Sequence, residues 1–226
     1  MRRIFRIAID GPGGAGKSTA AKKIAEALNI EYVDTGAMYR AVAYKMKECG
    51  VGLKDETALT GMLTDTDIDF LNGDIVLDGR AVNDFIRTAE ISKLASDCSA
   101  LAPVREKLVV LQREMGRKKS IVMDGRDIGT NVIKDAEFKF FMTATIEERA
   151  KRRYDELILK GQDASYESVL SDMSSRDRND MTRALNPLKK ADDAVELDTT
   201  EMTIEEVCEF MLRKIREGGY GDNKAV

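Results

Sequence analysis

The densest chemistry in the sequence sits in nine residues, Gly11-Pro12-Gly13-Gly14-Ala15-Gly16-Lys17-Ser18-Thr19. They match the spacing G-x-x-x-x-G-K-[ST], with Gly11, Gly16, Lys17 and Ser18 in its fixed places. Glycines let such a loop turn so that successive backbone N–H groups point inward at phosphate oxygens. A helix opening at the end of the loop adds the partial positive charge of its N-terminus. Lys17 is a cation for the β- and γ-phosphates, and Ser18 offers a hydroxyl to Mg²⁺. The chemistry expected is binding of a nucleoside triphosphate with Mg²⁺. The loop alone does not distinguish hydrolysis, signalling and transfer.

Scattered arginines bear on that choice. Arg40 closes the run Asp34-Thr35-Gly36-Ala37-Met38-Tyr39-Arg40, and Arg126 lies in Asp124-Gly125-Arg126-Asp127-Ile128-Gly129-Thr130. In the charged run SSRDRNDMTR (174–183), Arg176, Asp180 and Arg183 stand at i, i+4 and i+7, one helical stripe. Continued backwards, the stripe reaches Met173 and Val169, so it begins apolar and becomes charged. That is the pattern of a helix leaving a core to border a cleft. An exposed Arg176–Asp180 pair, worth a few tenths of a kcal/mol, is the alternative. Asp124, after an apolar strand, is placed to hold Mg²⁺ through water or else to cap the following turn. Arg149 and Arg153 are spaced i, i+4, and suit either a triphosphate or a solvated face paired with Glu147 and Glu148. No guanine-reading N-K-x-D stretch is present. A small chain with a phosphate loop, an insert and many arginines points to a small-molecule kinase, since phosphoryl transfer needs positioning and charge neutralisation above all.

The bulk numbers narrow the field further. With 36 basic and 40 acidic residues the net charge is −4, so no overall field draws in a nucleic-acid polymer or an anionic membrane. Any anion must be gripped locally. Histidine is absent, which excludes a histidine base, nucleophile or zinc ligand. Cys49, Cys98 and Cys208 are far apart and odd in number, without metal or disulfide spacing, so a reducing cytoplasm is the expected setting. The opening MRRIFRIAIDG starts like a signal peptide, but its apolar run is too short and contains Arg6. No stretch approaches transmembrane length.

Short apolar runs at 4–9, 30–34, 120–124, 137–144 and 194–198 read as buried parallel strands, with helical patterns between them, including 18–28 and 38–48. This alternation predicts an α/β fold around a parallel sheet. Thr-Ile-Glu-Glu occurs at 145–148 and 203–206, twice predicting a capping box, and Pro103 suits the first turn of a helix running to about Arg117. About 85 residues separate the second and third of these strands, far more than one crossover needs. Within that gap Asn72-Gly73 and Asp78-Gly79 are hairpin turns flanked by alternating apolar residues, predicting a three-stranded antiparallel meander at about 67–83.

Taken together, the phosphate loop, DTGAMYR (34–40), VRE (104–106), DGRDIGT (124–130), RDRNDMTR (176–183) and PLKKADDAVELDTT (187–200) resemble the bacterial-type cytidylate kinases, of the nucleoside monophosphate kinase superfamily of P-loop proteins. The resemblance covers nearly the whole chain. Thr35 stands where some members have serine and keeps the hydroxyl. The resemblance implies a P-loop NTPase-like α/β core with a central parallel five-stranded sheet flanked by helices. To this it adds an inserted acceptor-binding subdomain with a small antiparallel sheet, and a short lid. The corresponding bounds are 1–34, 104–150 and 167–226 for the core, 35–103 for the acceptor subdomain and 151–166 for the lid, with Gly161 as a hinge. It implies phosphorylation of CMP and dCMP by ATP with Mg²⁺, by a monomer.

The site residues follow from the same resemblance. Gly11 to Thr19, Arg149 and Arg153 would bind ATP, and Lys17, Arg40, Arg126 and Arg183 would be catalytic. Thr35, Arg40, Ser96, Arg105, Arg126, Asp127, Arg176, Asp180 and Arg183 would bind the acceptor. Of these, Arg40, Arg126 and Arg183 would meet its phosphate, Arg176 and Asp180 its ribose, and Asp127, Ser96 and Arg105 its base. Cytosine presents an amino donor to a carboxylate where uracil presents a carbonyl, so CMP and dCMP should be preferred over UMP. A kinase for UMP, AMP or a non-nucleotide acceptor, or a nucleotide-binding regulator without transferase activity, is the alternative.

Overall fold

A computed structural model describes residues 4–71 and 73–220. Five short runs make one parallel sheet; those at 6–10 and 121–125 are buried on both faces, whereas the run at 195–198, expected to be a buried strand, lies at an edge and buries only Leu197. Their bounds are β1 (Arg6–Asp10), β2 (Glu31–Asp34), β6 (Ile121–Gly125), β7 (Phe138–Thr143) and β8 (Val195–Asp198), in the order β2-β6-β1-β7-β8. β1 is central and pairs in parallel with β6 and β7. The chain leaves β1 toward one edge of the sheet and later crosses from β6 to β7 on its other side. The strand order thus reverses at β1, and the crevice beyond its carboxyl end is where open α/β sheets bind ligands.

By packing, the chain divides into two units, residues up to 32 together with those from 119 on, and residues 33–118. In the first, α1 (Lys17–Leu28), α6 (Ile146–Leu159), α7 (Tyr166–Thr182) and α8 (Ile204–Glu217) accompany the sheet. Its core joins Ile7, Ile9, Phe140 and Met142 of the strands to Ile24 of α1 and to Met211 and Ile215 of α8. The second unit contains α2 (Thr35–Glu48), α3 (Glu56–Thr64), α4 (Ala89–Cys98) and α5 (Ala102–Lys118). It also holds an antiparallel sheet of β3 (Ile68–Leu71), β4 (Asp74–Leu77) and β5 (Arg80–Ala81). Met38, Met46, Leu59, Ile75, Ile91 and Leu108 are buried within it.

The meander stands where the turn residues put it. Asp78 and Gly79 both take positive φ, 50° and 80°, as a two-residue hairpin of primed type requires. Asn72 lies outside the described residues. β5 is only two residues long, and Val82 just beyond it is buried and still donates to the Ile75 carbonyl at 3.0 Å.

Several elements differ in detail from the sequence reading. β1 starts at Arg6 and runs on through Asp10, because an acid whose oxygens are satisfied by a neighbouring turn can end a strand without leaving it. α2 begins at Thr35, since the Asp34 side chain accepts from Ala37 N and caps it. The capping box at 203–206 is complete. At 145–148 only half forms. Thr145 accepts from Glu148 N, but the Glu148 carboxylate pairs with Arg152 at 2.9 Å instead of turning back. Within the span given to the lid, residues 151–159 are helix, with Gly161 at φ 68° just beyond.

Candidate active site

The loop after β1 lies hard against the end of β7. A Cβ on Gly11 would stand 1.9 Å from the Met142 carbonyl oxygen, so only glycine passes there, with φ at 147°. Lys17, the first residue of α1, is 5% exposed, and its ammonium donates to the Pro12 carbonyl at 2.7 Å. Burial, then the positive charge of Arg126, lowers its pKa to about 7, with Asp124 pulling the other way. Ser18 Oγ donates to Asp124 Oδ2 at 2.8 Å, and Tyr32 Oη donates to Asp124 Oδ1, also at 2.8 Å. Asp124, at the end of β6, therefore faces the phosphate loop through Ser18 and is more than a cap on the turn after it.

This hydroxyl–carboxylate pair has the chemistry Mg²⁺ takes. Hard oxygen ligands suit it, and it is commonly held by one or two carboxylates together with substrate phosphates. A serine that donates its proton to a carboxylate still offers oxygen lone pairs to a cation. Among the described residues no group of three or more His, Cys, Asp or Glu forms a metal cage; Ser18 and Asp124 are residues whose oxygens could hold the ion beside substrate phosphates.

The arginines of this unit are cross-braced by acids. Arg126 Nε pairs with Asp180 Oδ2 at 2.8 Å. Its Nη2 lies 3.6 Å from where a Cβ on Gly13 would be, which places the guanidinium beside the loop. Arg183 Nη2 donates to Asp127 Oδ1 at 3.0 Å, and its Nε and Nη2 both donate to the Asn186 carbonyl. Asp127 Oδ2 also accepts from Asn131 at 3.1 Å. Burial disfavours ionised Asp180, but Arg126, Arg176 and Arg183 outweigh it and hold its carboxyl below the ordinary range. Arg149 is 6% exposed and donates to the Ala144 and Gly13 carbonyls, while Nη1 pairs with Asp177 at 2.7 Å. Arg149 thus anchors the loop backbone. Arg153, one turn on, is partly exposed and pairs with Glu156, neither with Glu147 nor with Glu148.

The stripe on α7 is real but shifted by one residue at its charged end. Val169, Asp177 and Asp180 are buried and Met173 is partly so, whereas Arg176 is exposed. The charge of Arg176 nevertheless acts on both Lys17 and Asp180. Arg183 lies one residue past the helix, in extended conformation (ψ 140°). The chain turns there, and that turn brings its guanidinium back to Asp127.

Three residues that the sequence reading did not single out belong to this constellation. Asp177 could have been found, because it continues the stripe from Val169 at i+8 as well as Arg176 does at i+7. Asp10 carried a weak signal, an acid ending an apolar strand beside the loop. Its two oxygens accept from Ile128 N and Gly129 N at 2.8 Å each, fixing the π-helical turn Ile128–Val132 that follows Asp127. Burial pushes the Asp10 carboxyl up to about 6 against those hydrogen bonds. Tyr32 carried no signal beyond its strand.

The second unit carries the remaining candidates. Arg40 Nη2 pairs with Asp34 Oδ2 at 3.1 Å, and its buried Nε has no hydrogen bond among the described residues. A Cβ on Gly36 would lie 3.2 Å from both Arg40 Nη1 and Asp34 Oδ1, so this glycine leaves room for the pair. Thr35 is buried at the start of α2. Arg105, buried in the first turn of α5, donates to the Ser99 carbonyl at 3.2 Å with its guanidinium 5.8 Å from the Tyr39 ring centre. Ser96 is half-buried on α4.

The chain as a whole is similar to known proteins. A model of the cytidylate kinase family matches residues 7–217. A cytidylate kinase of Clostridioides difficile (strain 630) is 49% identical over 209 residues, spanning 92% of this chain and 97% of its own. One from Bacillus subtilis (strain 168) is 44% identical over 221 residues, spanning 96% and 99%. Among solved structures, a gluconokinase from Sinorhizobium meliloti 1021 superposes with a TM-score of 0.51 at 13% identity, over 95% of this chain and 94% of its own, a likeness of fold alone. With the phosphate loop, its braced arginines and a family model matching from β1 to the last turn of α8, the chain belongs to the cytidylate kinase family.

Proposed function

We propose that this protein transfers the γ-phosphoryl group of ATP to CMP and dCMP, yielding ADP and CDP or dCDP. An oxygen of the acceptor phosphate attacks the γ-phosphorus in line. The bond from that phosphorus to the β,γ-bridging oxygen breaks, and the electron pair leaves with ADP. The observation that carries the reading is the family match across residues 7–217 on a chain whose glycine loop, Lys17 and Ser18–Asp124 pair are assembled in one place.

Each residue then has a task. The amides of Gly11 to Thr19 and the Lys17 ammonium take the donor phosphates. Mg²⁺, when bound, would supply charge neutralisation there, and Ser18 and Asp124 would hold it. Arg40, Arg126 and Arg183 are assigned to the acceptor phosphate, where such arginines contribute about 10³–10⁵ in rate. Arg176 and Asp180 are assigned to the ribose, with Thr35 nearby in sequence to Arg40. Asp127, Ser96 and Arg105 are assigned to cytosine. Arg149 acts on ATP mainly by holding the Gly13 carbonyl, and Arg153 acts from the partly exposed side of α6. Residues 35–103 serve as the acceptor subdomain and 151–166 as the lid. No imidazole is available as a base, and a phosphate dianion needs none.

An acceptor panel of CMP, dCMP, UMP, AMP and shikimate with Mg²⁺·ATP, followed by ADP release, tests the reading. CMP and dCMP should turn over fastest. Faster turnover of AMP or shikimate overturns it, and nucleotide binding without any diphosphate product makes the protein a regulator instead.

A further inference from the structure

We propose that Tyr32 is a positioning residue for the metal-binding edge of the site, its hydroxyl fixing the rotation of the Asp124 carboxylate. The inference rests on the reading that Ser18 and Asp124 hold Mg²⁺. Asp124 is 4% exposed, and its two oxygens are gripped by different elements, Oδ2 by Ser18 of α1 and Oδ1 by Tyr32 of β2, each at 2.8 Å. With Ser18 on one oxygen and Tyr32 on the other, the carboxylate cannot turn about its Cβ–Cγ bond without breaking a hydrogen bond to a charged group. Removing the tyrosine hydroxyl takes away the hold that β2 has on Oδ1, and with it a restraint on the position of Oδ2 at the Ser18 hydroxyl.

Tyr32 is itself held. Its ring packs against the core cluster of the first unit, and the Lys22 ammonium of α1 stands 5.8 Å from the ring centre. The phenol therefore reaches Asp124 from a fixed base. Partners that orient a metal's ligands commonly contribute 10–100-fold in metal affinity. A tyrosine that only satisfied a buried acid would affect stability and not the response to Mg²⁺.

Tyr32→Phe keeps the ring and removes the hydroxyl. ATP affinity is measured by displacement of a fluorescent ATP analogue, once with saturating Mg²⁺ and once with EDTA, well below each variant's melting transition. The expected result is that the tightening conferred by Mg²⁺ shrinks about tenfold in Y32F while affinity in EDTA is unchanged. In turnover, the Mg²⁺ concentration for half-maximal rate rises by a similar factor at constant KM for CMP. In an Asp124→Asn background, adding Y32F should change nothing further. An unaltered Mg²⁺ response in Y32F, an equal loss in EDTA, or a full further loss on top of D124N overturns the proposal. Ser18→Ala separates the two levels. If S18A and D124N both leave the Mg²⁺ effect intact, the metal reading itself fails. If they abolish it and Y32F does not, only the role of Tyr32 fails.

Discussion

The two units arrange their charged residues differently. Around the phosphate loop, nearly every charged group is buried against another: Arg126 on Asp180, Arg149 on Asp177, Arg183 on Asp127, Ser18 and Tyr32 on Asp124. In the unit of residues 33–118, Arg40 has one acid, Asp34, and a buried Nε without a hydrogen bond among the described residues. Cross-bracing costs desolvation at every group, and it is stabilising only while each partner stays in place. What it provides is a set of cations already aimed before a triphosphate arrives, which is where preorganised charge acts most strongly. The looser setting of Arg40 leaves donor capacity for a further acceptor.

This contrast is open to direct attack. The largest effect should come from Lys17→Ala, which removes a buried cation from the braced side. kcat should fall about 10²–10³-fold with melting temperature little changed, as read by steady-state kinetics and thermal denaturation. Next, Arg149→Met leaves Asp177 buried and unpaired, and should cost about 3–5 kcal/mol of stability by denaturant unfolding. Adding Asp177→Leu should recover much of that, whereas a loss equal to the single variant would mean that the ion pair is not the brace described here.

Asp10 gives a pH signature. Its carboxyl is raised in the folded state to about 6 from an ordinary value near 3.8. The folded protein therefore holds a proton that the unfolded chain releases between those values. Its contribution is fully present below about pH 3.8 and is lost as pH rises through 6, on the order of 2–3 kcal/mol. Relative to Asp10→Asn, the wild type should lose stability between pH 4 and 7; parallel stability profiles would contradict this. The smallest effect belongs to the looser unit. Gly36→Ala crowds Arg40 and Asp34 at 3.2 Å and should raise KM for CMP about tenfold, or about 1.4 kcal/mol, with KM for ATP unchanged. Because alanine favours helix, stability should hold or rise. A fall in stability with no change in KM would detach Arg40 from the acceptor.

Much of the architecture was legible because its signals are local. Strand β1, the glycine loop and α1 follow one another in the sequence, although the close approach that demands glycine at position 11 comes from Met142 on β7. The meander was legible for the same reason, through Asp78-Gly79. The α7 stripe was legible as a stripe, but which charged residue lies inward, Asp177 or Arg176, depends on how the helix is rotated against Arg149. Periodicity alone leaves that rotation uncertain by one position.

The amino-acid sequence by itself determined the phosphate chemistry, the order of strands and helices, the insert, and the absence of any histidine mechanism. These depend on residue type and on spacing over a turn or a strand. Only the tertiary structure decided which acid braces which arginine, that Arg149 holds the loop backbone, and that Asp10 and Tyr32 fix the turn after Asp127 and the Asp124 carboxylate. The pairs around the phosphate loop join residues far apart along the chain, from 28 positions for Arg149–Asp177 to 136 for Arg149–Gly13. Their partnership comes from the strand order of the sheet and from the packing of α7, which no local pattern encodes.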